Sequence, residues 1–330
     1  MRVPVGDHVT EHNSPLSLIP LHCPSCCLRL EVLESMLCCG NGHSFPRRGT
    51  VIDFSMAGTI DKLQERTRQS FQSEWMEYYP HLGWTDAEWG RERAMFLGYT
   101  RSMGNFFSGR VVVDAGCGNG RYINVVNRLS SRRPKLVIGI ELSDNVDLAA
   151  RNCEAYDNVV LFKMDLNLLP RVLQEPVDYV YSIGVLHHTP SAGEAFAKLA
   201  TCVKEGGFLS VFLYGRGNRL LYRVNSFLRN RFFQKWPRRL VYYLCVAVAV
   251  PCQAFKVPFL GPWALDFVTR FVFVSPDVHN MFDAYTAGFT SFHDKSEVEE
   301  WYKQAGFDCV VEERLNRTSL FCIGTRLESC

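Results

Sequence analysis

The stretch Val111-Val-Val-Asp-Ala-Gly-Cys-Gly-Asn-Gly-Arg-Tyr122 combines three β-branched residues, an acidic residue and three alternating glycines. Consecutive valines favour a β-strand that is covered on both faces, as in a parallel sheet. Gly116, Gly118 and Gly120 allow a tight turn and a close approach of the backbone to a ligand, because they carry no Cβ. Amide groups at the start of the following helix would face that ligand. The stretch therefore predicts a strand, a ligand-binding turn and a helix.

The acidic residue at the end of this strand narrows the choice of ligand. The glycines are spaced G-x-G-x-G, whereas a dinucleotide site has G-x-G-x-x-G. Asp114 would repel a pyrophosphate but suits a ligand that carries an ammonium group and hydroxyls. With this acid the stretch resembles the first motif of the class I S-adenosylmethionine-dependent methyltransferases. The resemblance implies S-adenosyl-L-methionine as the cofactor.

Later segments resemble the same family in the same order. Residues 136–140 predict a second strand ending at Glu141, where the family's fold places a carboxylate on the ribose hydroxyls. Residues 159–164 predict a third strand ending at Asp165, and in the family an acid here binds the adenine amino group. Residues 177–190 resemble the fourth strand and its loop, and 203–214 the fifth strand. The resemblance implies that the cofactor is bound by Asp114, Gly116, Cys117, Gly118, Gly120, Glu141, Leu142, Asp165, Leu166, Ser182, Ile183 and Gly184.

The resemblance also implies the fold. We expect an α/β protein with a seven-stranded Rossmann-like sheet, helices on both faces, a helical cap insertion and a small N-terminal zinc ribbon. The methyltransferase core is assigned to residues 105–214 and 286–330. Residues 307–311 and 318–324 are expected to form the closing hairpin, whose last strand lies antiparallel in this fold.

The composition is typical of a globular protein. The chain has 330 residues, of which 47% are hydrophobic and 21% charged, enough for one large α/β domain and a small module. The net charge of +2 indicates no particular partner. No apolar signal peptide opens the chain, so the 13 cysteines are expected to be reduced thiols, some of them metal ligands. A cytoplasmic location is the corresponding expectation.

The N-terminal part predicts a metal site. Residues 1–20 are polar and rich in proline, which favours a flexible tail. Within 21–58, a C-x2-C pair and a C-x3-H pair are separated by 12 residues, and two such turns can bind zinc tetrahedrally. The segment resembles the zinc-ribbon and Trm112-like modules at the front of some methyltransferases. We expect zinc on Cys23, Cys26, Cys39 and His43; Cys38 and Cys27 are competing ligands, and a ribbon of free thiols is the alternative.

Residues 59–104 are expected to form lead-in helices that cover the cofactor. Phe71 and Trp75 are candidates for the substrate pocket, together with His188 and Tyr214, although packing of this helix on the sheet edge explains the two aromatic residues equally well. His187 is the candidate general base, because it follows the fourth strand at the carboxyl edge of the sheet and a neutral imidazole has a suitable pKa. A purely structural histidine pair is the alternative.

The insertion 215–285 is basic and apolar. Between Arg216 and Leu265 lie nine of the 36 Lys and Arg residues but no Asp or Glu. Leu220, Val224, Phe227 and Leu228 predict one apolar stripe on a basic amphipathic helix. Residues 240–250 are too short to span a bilayer. The resemblance implies that the insertion forms a cap over the active site. The alternatives are a homodimer interface, an extended core with an arginine-rich solvated rim, peripheral membrane contact through 216–275, and RNA binding.

The interpretations of the sequence differ in the methyl acceptor that they predict. The cap and the loop after the fourth strand resemble those of bacterial enzymes that act on small molecules, so a small or lipid-like, anionic acceptor is the main hypothesis. A basic, aromatic cap together with a zinc ribbon also suits rRNA or tRNA, which is the alternative. A partner subunit that binds the cofactor without catalysis is disfavoured, because every position of the cofactor site is retained.

Overall fold

The computed structural model describes residues 15–58, 60–78, 84–100, 106–129, 132–217, 219–254, 278, 282, 285–314 and 319–328. The expected tail at 1–20 therefore lies mostly outside the described residues. Residues 255–277 of the insertion also lie outside the described residues. The side chains of Arg219 and Leu220 are not described.

The described part of the chain forms one sheet of eleven strands. In chain order they are β1 (Leu30–Val32), β2 (Met36–Cys39), β3 (Ser44–Arg48), β4 (Val51–Asp53), β5 (Val111–Ala115), β6 (Leu136–Glu141), β7 (Val159–Lys163), β8 (Val177–Ile183), β9 (Val203–Tyr214), β10 (Phe307–Arg314) and β11 (Ser319–Arg326). The strand order is β1-β2-β3-β4-β7-β6-β5-β8-β9-β11-β10. Strands β4 to β9 are parallel to their neighbours within β4-β7-β6-β5-β8-β9, and β11 returns antiparallel to β9.

The helices cover this sheet and supply the insertion. They are α1 (Lys62–Ser73), α2 (Asp86–Thr100), α3 (Arg121–Leu129), α4 (Asn145–Asn152), α5 (Leu169–Val172), α6 (Ala192–Thr201), α7 (Arg219–Arg231), α8 (Arg238–Ala254) and α9 (Lys295–Gln304). A short π-helical turn, Glu74–Tyr78, follows α1. Strand β5 is buried except for its half-buried first residue, and β6 is buried except for its last residue. Such burial is expected for central parallel strands.

The expected number of seven strands is wrong, because the N-terminal segment extends the sheet. Strand β4 pairs parallel to β7, with Val51 opposite Leu161 and Asp53 opposite Lys163. Without β4, the backbone amides and carbonyls along one side of β7 would form an open sheet edge. Strands β3, β2 and β1 continue outwards by antiparallel pairing. The α/β class and the antiparallel closing hairpin β10–β11 agree with the expectation.

The N-terminal segment shares the main hydrophobic core. Phe54 is fully buried, and its ring lies 4.9 Å from that of Phe45 and 5.5 Å from that of Phe162 on β7. Leu30 and Leu37 of the N-terminal strands belong to the same buried cluster as the central strands. The segment is therefore packed as part of one layer, not as a module with a separate core.

The insertion begins with α7 and α8. Helix α8 contains the apolar run 240–250 and continues through Pro251 to Ala254. No helix in the described part of the chain is long and apolar enough to cross a membrane.

Candidate active site

A cavity of about 460 Å³ opens at the carboxyl ends of the parallel strands. This edge is where open α/β sheets bind ligands, and the strand order changes direction here between β5 and β8. The wall is formed by the loops after β5, β6, β7 and β8, by the end of β9, and by one face each of α1 and α2. The cavity is thus enclosed jointly by the sheet and the lead-in helices.

The glycine turn after β5 adopts a backbone that other residues rarely adopt. The φ angles are +98° at Gly116, +55° at Gly118 and +83° at Gly120. A Cβ on Gly116 would lie 2.3 Å from a methyl group of Val185, and one on Gly118 would lie 3.1 Å from the Trp75 ring. The turn therefore needs glycine both for its dihedral angles and for the space beside the cavity.

Glu141 is held rigidly at the end of β6. Its carboxylate accepts hydrogen bonds from the Gly118 amide at 3.1 Å, the Ser143 amide at 2.9 Å and the Ser143 hydroxyl at 2.6 Å. Burial raises the pKa of the Glu141 carboxyl, and the hydrogen bonds from Ser143 and Gly118 oppose that rise. The glycine turn and the acid are thereby linked in one arrangement on the cavity wall.

Asp165 occupies the equivalent place after β7. Its carboxylate accepts from the backbone amide and the side-chain amide of Asn167, both at 2.9 Å, and from the Gln64 side chain of α1 at 3.3 Å. The last contact connects helix α1 to the sheet edge across the cavity. Most of the residues assigned to the cofactor line this cavity: Gly116, Cys117, Gly118, Glu141, Leu142, Asp165, Leu166, Ile183 and Gly184.

Three residues assigned to the cofactor lie behind the cavity wall. Asp114 is buried, and the Tyr181 hydroxyl donates to its carboxylate at 3.0 Å. Ser182 donates to the Ala115 carbonyl, and Gly120 packs against Cys153 of the segment after α4. None of the three lines the cavity, so their direct contact with the ligand stays a prediction.

Burial determines the charge state of Asp114. It raises the pKa of this carboxyl to about 7, although the Tyr181 hydrogen bond and the Arg121 charge act in the opposite direction. The side chain is therefore close to half-protonated at neutral pH.

The two histidines after β8 are placed differently. His187 is fully buried and does not line the cavity; its ring stacks on Tyr214, with the centroids 3.9 Å apart. His188 is 5% exposed and does line the cavity, next to the Phe71 ring at 4.9 Å. The choice of His187 as the residue that reaches an acceptor is therefore corrected: of the pair, His188 faces the cavity.

The tautomer of His188 is determined by a backbone contact. Its Nδ1–H donates to the Phe289 carbonyl at 2.9 Å, which leaves Nε2 as the nitrogen with the lone pair. Nε2 is buried without a hydrogen-bond partner in the described part of the chain. Burial lowers the pKa of His188 to about 4, and the nearby Arg229 charge adds to this effect, so the ring is neutral at pH 7.

Helices α1 and α2 supply cavity residues that the sequence reasoning missed. Phe71, Trp75, His188 and Tyr214, the four predicted pocket residues, all line the cavity. Arg121 also lines it, with its guanidinium 5.0 Å from the Trp75 ring and 3.5 Å from the Glu92 carboxylate. The missed residues from the two helices are Gln64, Thr67, Arg68, Glu88, Arg91, Glu92, Met95 and Tyr99. Their i, i+3, i+4, i+7 spacing on each helix is the signal that could have revealed them.

The N-terminal segment brings four soft or borderline donors together. The ligand atoms of Cys23, Cys26, Cys39 and His43 lie within 4.8 Å of one another. The Cys26 and Cys39 sulfurs are 3.6 Å apart, and His43 Nδ1 is 3.4 Å from Cys39 and 3.6 Å from Cys23. Zinc at about 2.3 Å from sulfur and about 2.0 Å from nitrogen would place tetrahedral ligands roughly 3.5 to 3.8 Å apart. The donor set therefore fits zinc.

The same cluster resolves the choice between neighbouring cysteines. Cys39 belongs to the cluster, whereas Cys38 and Cys27 do not. Burial acts to raise the pKa of the Cys39 thiol, but hydrogen bonds from His43 and the backbone lower it to about 6. The eleven cysteines with described side chains are all free thiols.

The comparison with protein families identifies the domain. The sequence profile of the methyltransferase domain family matches residues 113–211, from β5 to β9. The chain carries a class I S-adenosylmethionine-dependent methyltransferase domain. The last strand, β11, lies antiparallel to β9, as the resemblance to this family implies.

Two curated relatives are tRNA U34 carboxymethyltransferases. The one from Pseudoalteromonas translucida is 29% identical over 37% of this chain and 38% of the relative, and the one from Methylococcus capsulatus is 29% identical over 54% of this chain and 58% of the relative. The chain thus spans less than two thirds of either relative. A solved structure, the magnesium protoporphyrin IX methyltransferase of Synechocystis, is 14% identical, covers 82% of this chain and 99% of its own, and has a TM-score of 0.46.

The methyltransferase domain has a cavity that fits S-adenosylmethionine. Gly116 and Gly118 line the cavity with backbone that carries no side chain, so a ligand can approach the main chain there. Glu141 and Asp165 present carboxylate acceptors on neighbouring loops. Such acceptors suit the ribose hydroxyls and the adenine amino group of the cofactor. Arg121 adds a positive charge on the same wall, suited to a carboxylate. S-adenosylmethionine is therefore the cofactor that this chain's residues are arranged to bind.

Proposed function

We propose that this chain transfers a methyl group from S-adenosylmethionine to a nucleobase of RNA. The observation that carries the proposal is that both curated relatives reported above are, by name, enzymes that modify tRNA at U34. The aromatic side of the cavity supports it, because Phe71, Tyr214 and His188 offer flat walls for a base that has left its stack. The cofactor, when bound, supplies an electrophilic methyl group.

The chain's own part is to align the acceptor and to exclude water. Glu141, Asp165 and the glycine turn would fix the donor, so that transfer becomes a matter of proximity to a correctly oriented acceptor atom. His188 Nε2 would take the proton that the acceptor atom loses as its new bond to carbon forms. The Phe289 carbonyl holds the ring in the tautomer that this requires.

His188 can be tested apart from cofactor binding. We expect His188→Asn to lower kcat by about 100- to 10,000-fold while the affinity for S-adenosylmethionine stays at the parent level. An equal fall in kcat and in the affinity for S-adenosylmethionine would contradict the role of His188, and so would parent-level values of both. The readouts are single-turnover rates and calorimetry.

The main sequence-based hypothesis, a small or lipid-like acceptor, receives no support from the named relatives, and it becomes an outcome of the test. A cell extract is incubated with the protein and deuteriomethyl-labelled cofactor, and the products are examined by mass spectrometry. Label in rRNA or tRNA nucleosides supports the proposal. Label confined to low-mass or lipid-soluble species would overturn it.

We further propose one structural zinc on Cys23, Cys26, Cys39 and His43. The cluster lies on the far side of β4 and β3 in the strand order, while the cavity lies at the ends of the central strands. The metal would therefore stabilise the outer strands without contact to the acceptor.

A further inference from the structure

The cations of the insertion divide into two groups according to their contacts. Arg216 pairs with Asp294 and donates to the Phe292 carbonyl at 3.0 Å. Arg229 donates to the Thr290 carbonyl at 3.2 Å, and Arg238 donates to the Gln69 carbonyl at the end of α1 at 2.9 Å. These three arginines attach the insertion to the methyltransferase domain.

The second group faces solvent. The side chains of Arg223, Arg231, Lys235 and Arg239 are exposed, and none forms an ion pair within the described ranges. Large apolar side chains lie between them, with Phe227 62% and Tyr243 67% exposed and Trp236 also exposed. Arg223, Phe227 and Arg231 are four residues apart on α7, and Arg239 and Tyr243 are four apart on α8, so cations and rings share a face on each helix.

We propose that these residues form an RNA-binding surface for the acceptor, which we call the α7–α8 surface: Arg223, Phe227, Arg231, Lys235, Trp236, Arg239 and Tyr243. The inference rests on the proposed function and names where its substrate docks. The exposed Phe232 ring lies 6.5 Å from that of Phe227 and 6.4 Å from that of Trp236, and adjoining exposed apolar side chains of this kind indicate a partner. The absence of any Asp or Glu between Arg216 and Leu265 makes that partner anionic.

The mixture of rings and cations favours RNA among anionic partners. Single-stranded RNA presents phosphates to Lys and Arg and flat bases to aromatic rings. The Arg231 guanidinium already lies 5.6 Å from the Phe232 ring, which is the kind of cation–π contact that such surfaces use.

The α7–α8 surface is also connected to the cavity. Gln234, in the turn between the two helices, donates to the Ala287 carbonyl at 3.0 Å, and Arg229 donates to that of Thr290. The intervening Phe289 carbonyl accepts the hydrogen bond from His188. The helices that carry this surface are therefore attached to the segment that orients the cavity histidine.

The test measures binding of the full chain to a mixed-sequence, single-stranded RNA by fluorescence anisotropy, as salt rises from about 50 to 200 mM. We expect Arg223→Gln/Arg231→Gln/Arg239→Gln to weaken binding and to lower the slope of log affinity against log salt by about two to three. Phe227→Ala/Tyr243→Ala should weaken binding roughly 5- to 100-fold with little change in slope.

The control removes three exposed charges elsewhere, Lys135→Gln/Lys198→Gln/Lys303→Gln, and should keep nearly the parent affinity. Retained binding of S-adenosylmethionine, measured by calorimetry, shows that each variant is folded. Parent-level RNA binding by the arginine variant would overturn the inference. So would binding of the parent to vesicles of anionic phospholipid but not to RNA.

The inference and the proposed function can fail separately. If the parent methylates RNA and the arginine variant does so equally well, the surface is misassigned and the function stands. If the parent binds RNA through this surface but labels only small molecules, the surface stands and the proposed acceptor is wrong.

Discussion

Glu141 is the residue on which the cofactor site most depends, because its carboxylate joins β6, the glycine turn and the cavity. We expect Glu141→Gln to weaken binding of S-adenosylmethionine about 10- to 100-fold, since a hydrogen bond to a charged acceptor contributes about 1.5 to 3 kcal/mol. Calorimetry gives the affinity. Glu300→Gln, which changes an exposed carboxylate on α9, is the control. Parent-like affinity in Glu141→Gln would show that the site is misassigned.

Asp114 should make stability depend on pH. Its folded pKa of about 7 lies above the unfolded value of about 3.9, so between these values the folded state holds a proton that the unfolded state has lost. Stability therefore falls as pH rises through this window, by up to about 1.4 kcal/mol per pH unit, and no further above it.

Asp114→Asn removes this dependence. Relative to the variant, the parent's free energy of unfolding should decline from pH 4.5 to 7 and then level off, in urea unfolding without cofactor. Asp308→Asn, at an exposed position of β10, serves as the control. A constant difference between parent and Asp114→Asn across the window would contradict the buried, protonated state.

At the scale of single elements, the N-terminal turns carry the four predicted zinc ligands. We expect about one zinc per chain in the purified protein. Cys26→Ser and His43→Ala should lose the metal and destabilise the outer strands, because a short segment gains much of its stability from metal binding. Cys38→Ser is a matched control, since Cys38 is adjacent in sequence but outside the cluster. Elemental analysis decides, and a metal-free parent would falsify the proposal.

At the scale of the whole molecule, the N-terminal strands and the methyltransferase domain share one core. Phe54 lies between Phe45 and Phe162, so Phe54→Ala should cost about 3 to 5 kcal/mol and lower the midpoint of a single unfolding transition. Met56→Ala, at a side chain that is 87% exposed, should change it little. Thermal unfolding followed by circular dichroism is the measurement. Two separate transitions, with only the smaller one shifted, would mean that the segment is an independent module.

The local sequence pattern was sufficient to predict several strands, turns and site residues of this protein. The valines, the acid and the glycines at 111–120 determined a strand and a turn, because backbone freedom and burial act on neighbouring residues. The acids that end β6 and β7 followed from the same logic, and both line the cavity. The spacing of Cys23, Cys26, Cys39 and His43 likewise specified a set of ligands that the fold brings together.

Tertiary structure decided what depends on contacts between distant segments. Whether His187 or His188 faces the cavity depends on the Phe289 carbonyl, which is 101 residues away in the chain. The buried Asp114 carboxylate accepts its hydrogen bond from Tyr181, which is 67 residues away in the chain. Strand β4 supplies hydrogen-bond partners for the edge of β7. Helices α1 and α2 line the cavity because they pack over the sheet. Sequence patterns report burial and local conformation, whereas the partner of a hydrogen bond or a sheet edge is determined by the whole fold.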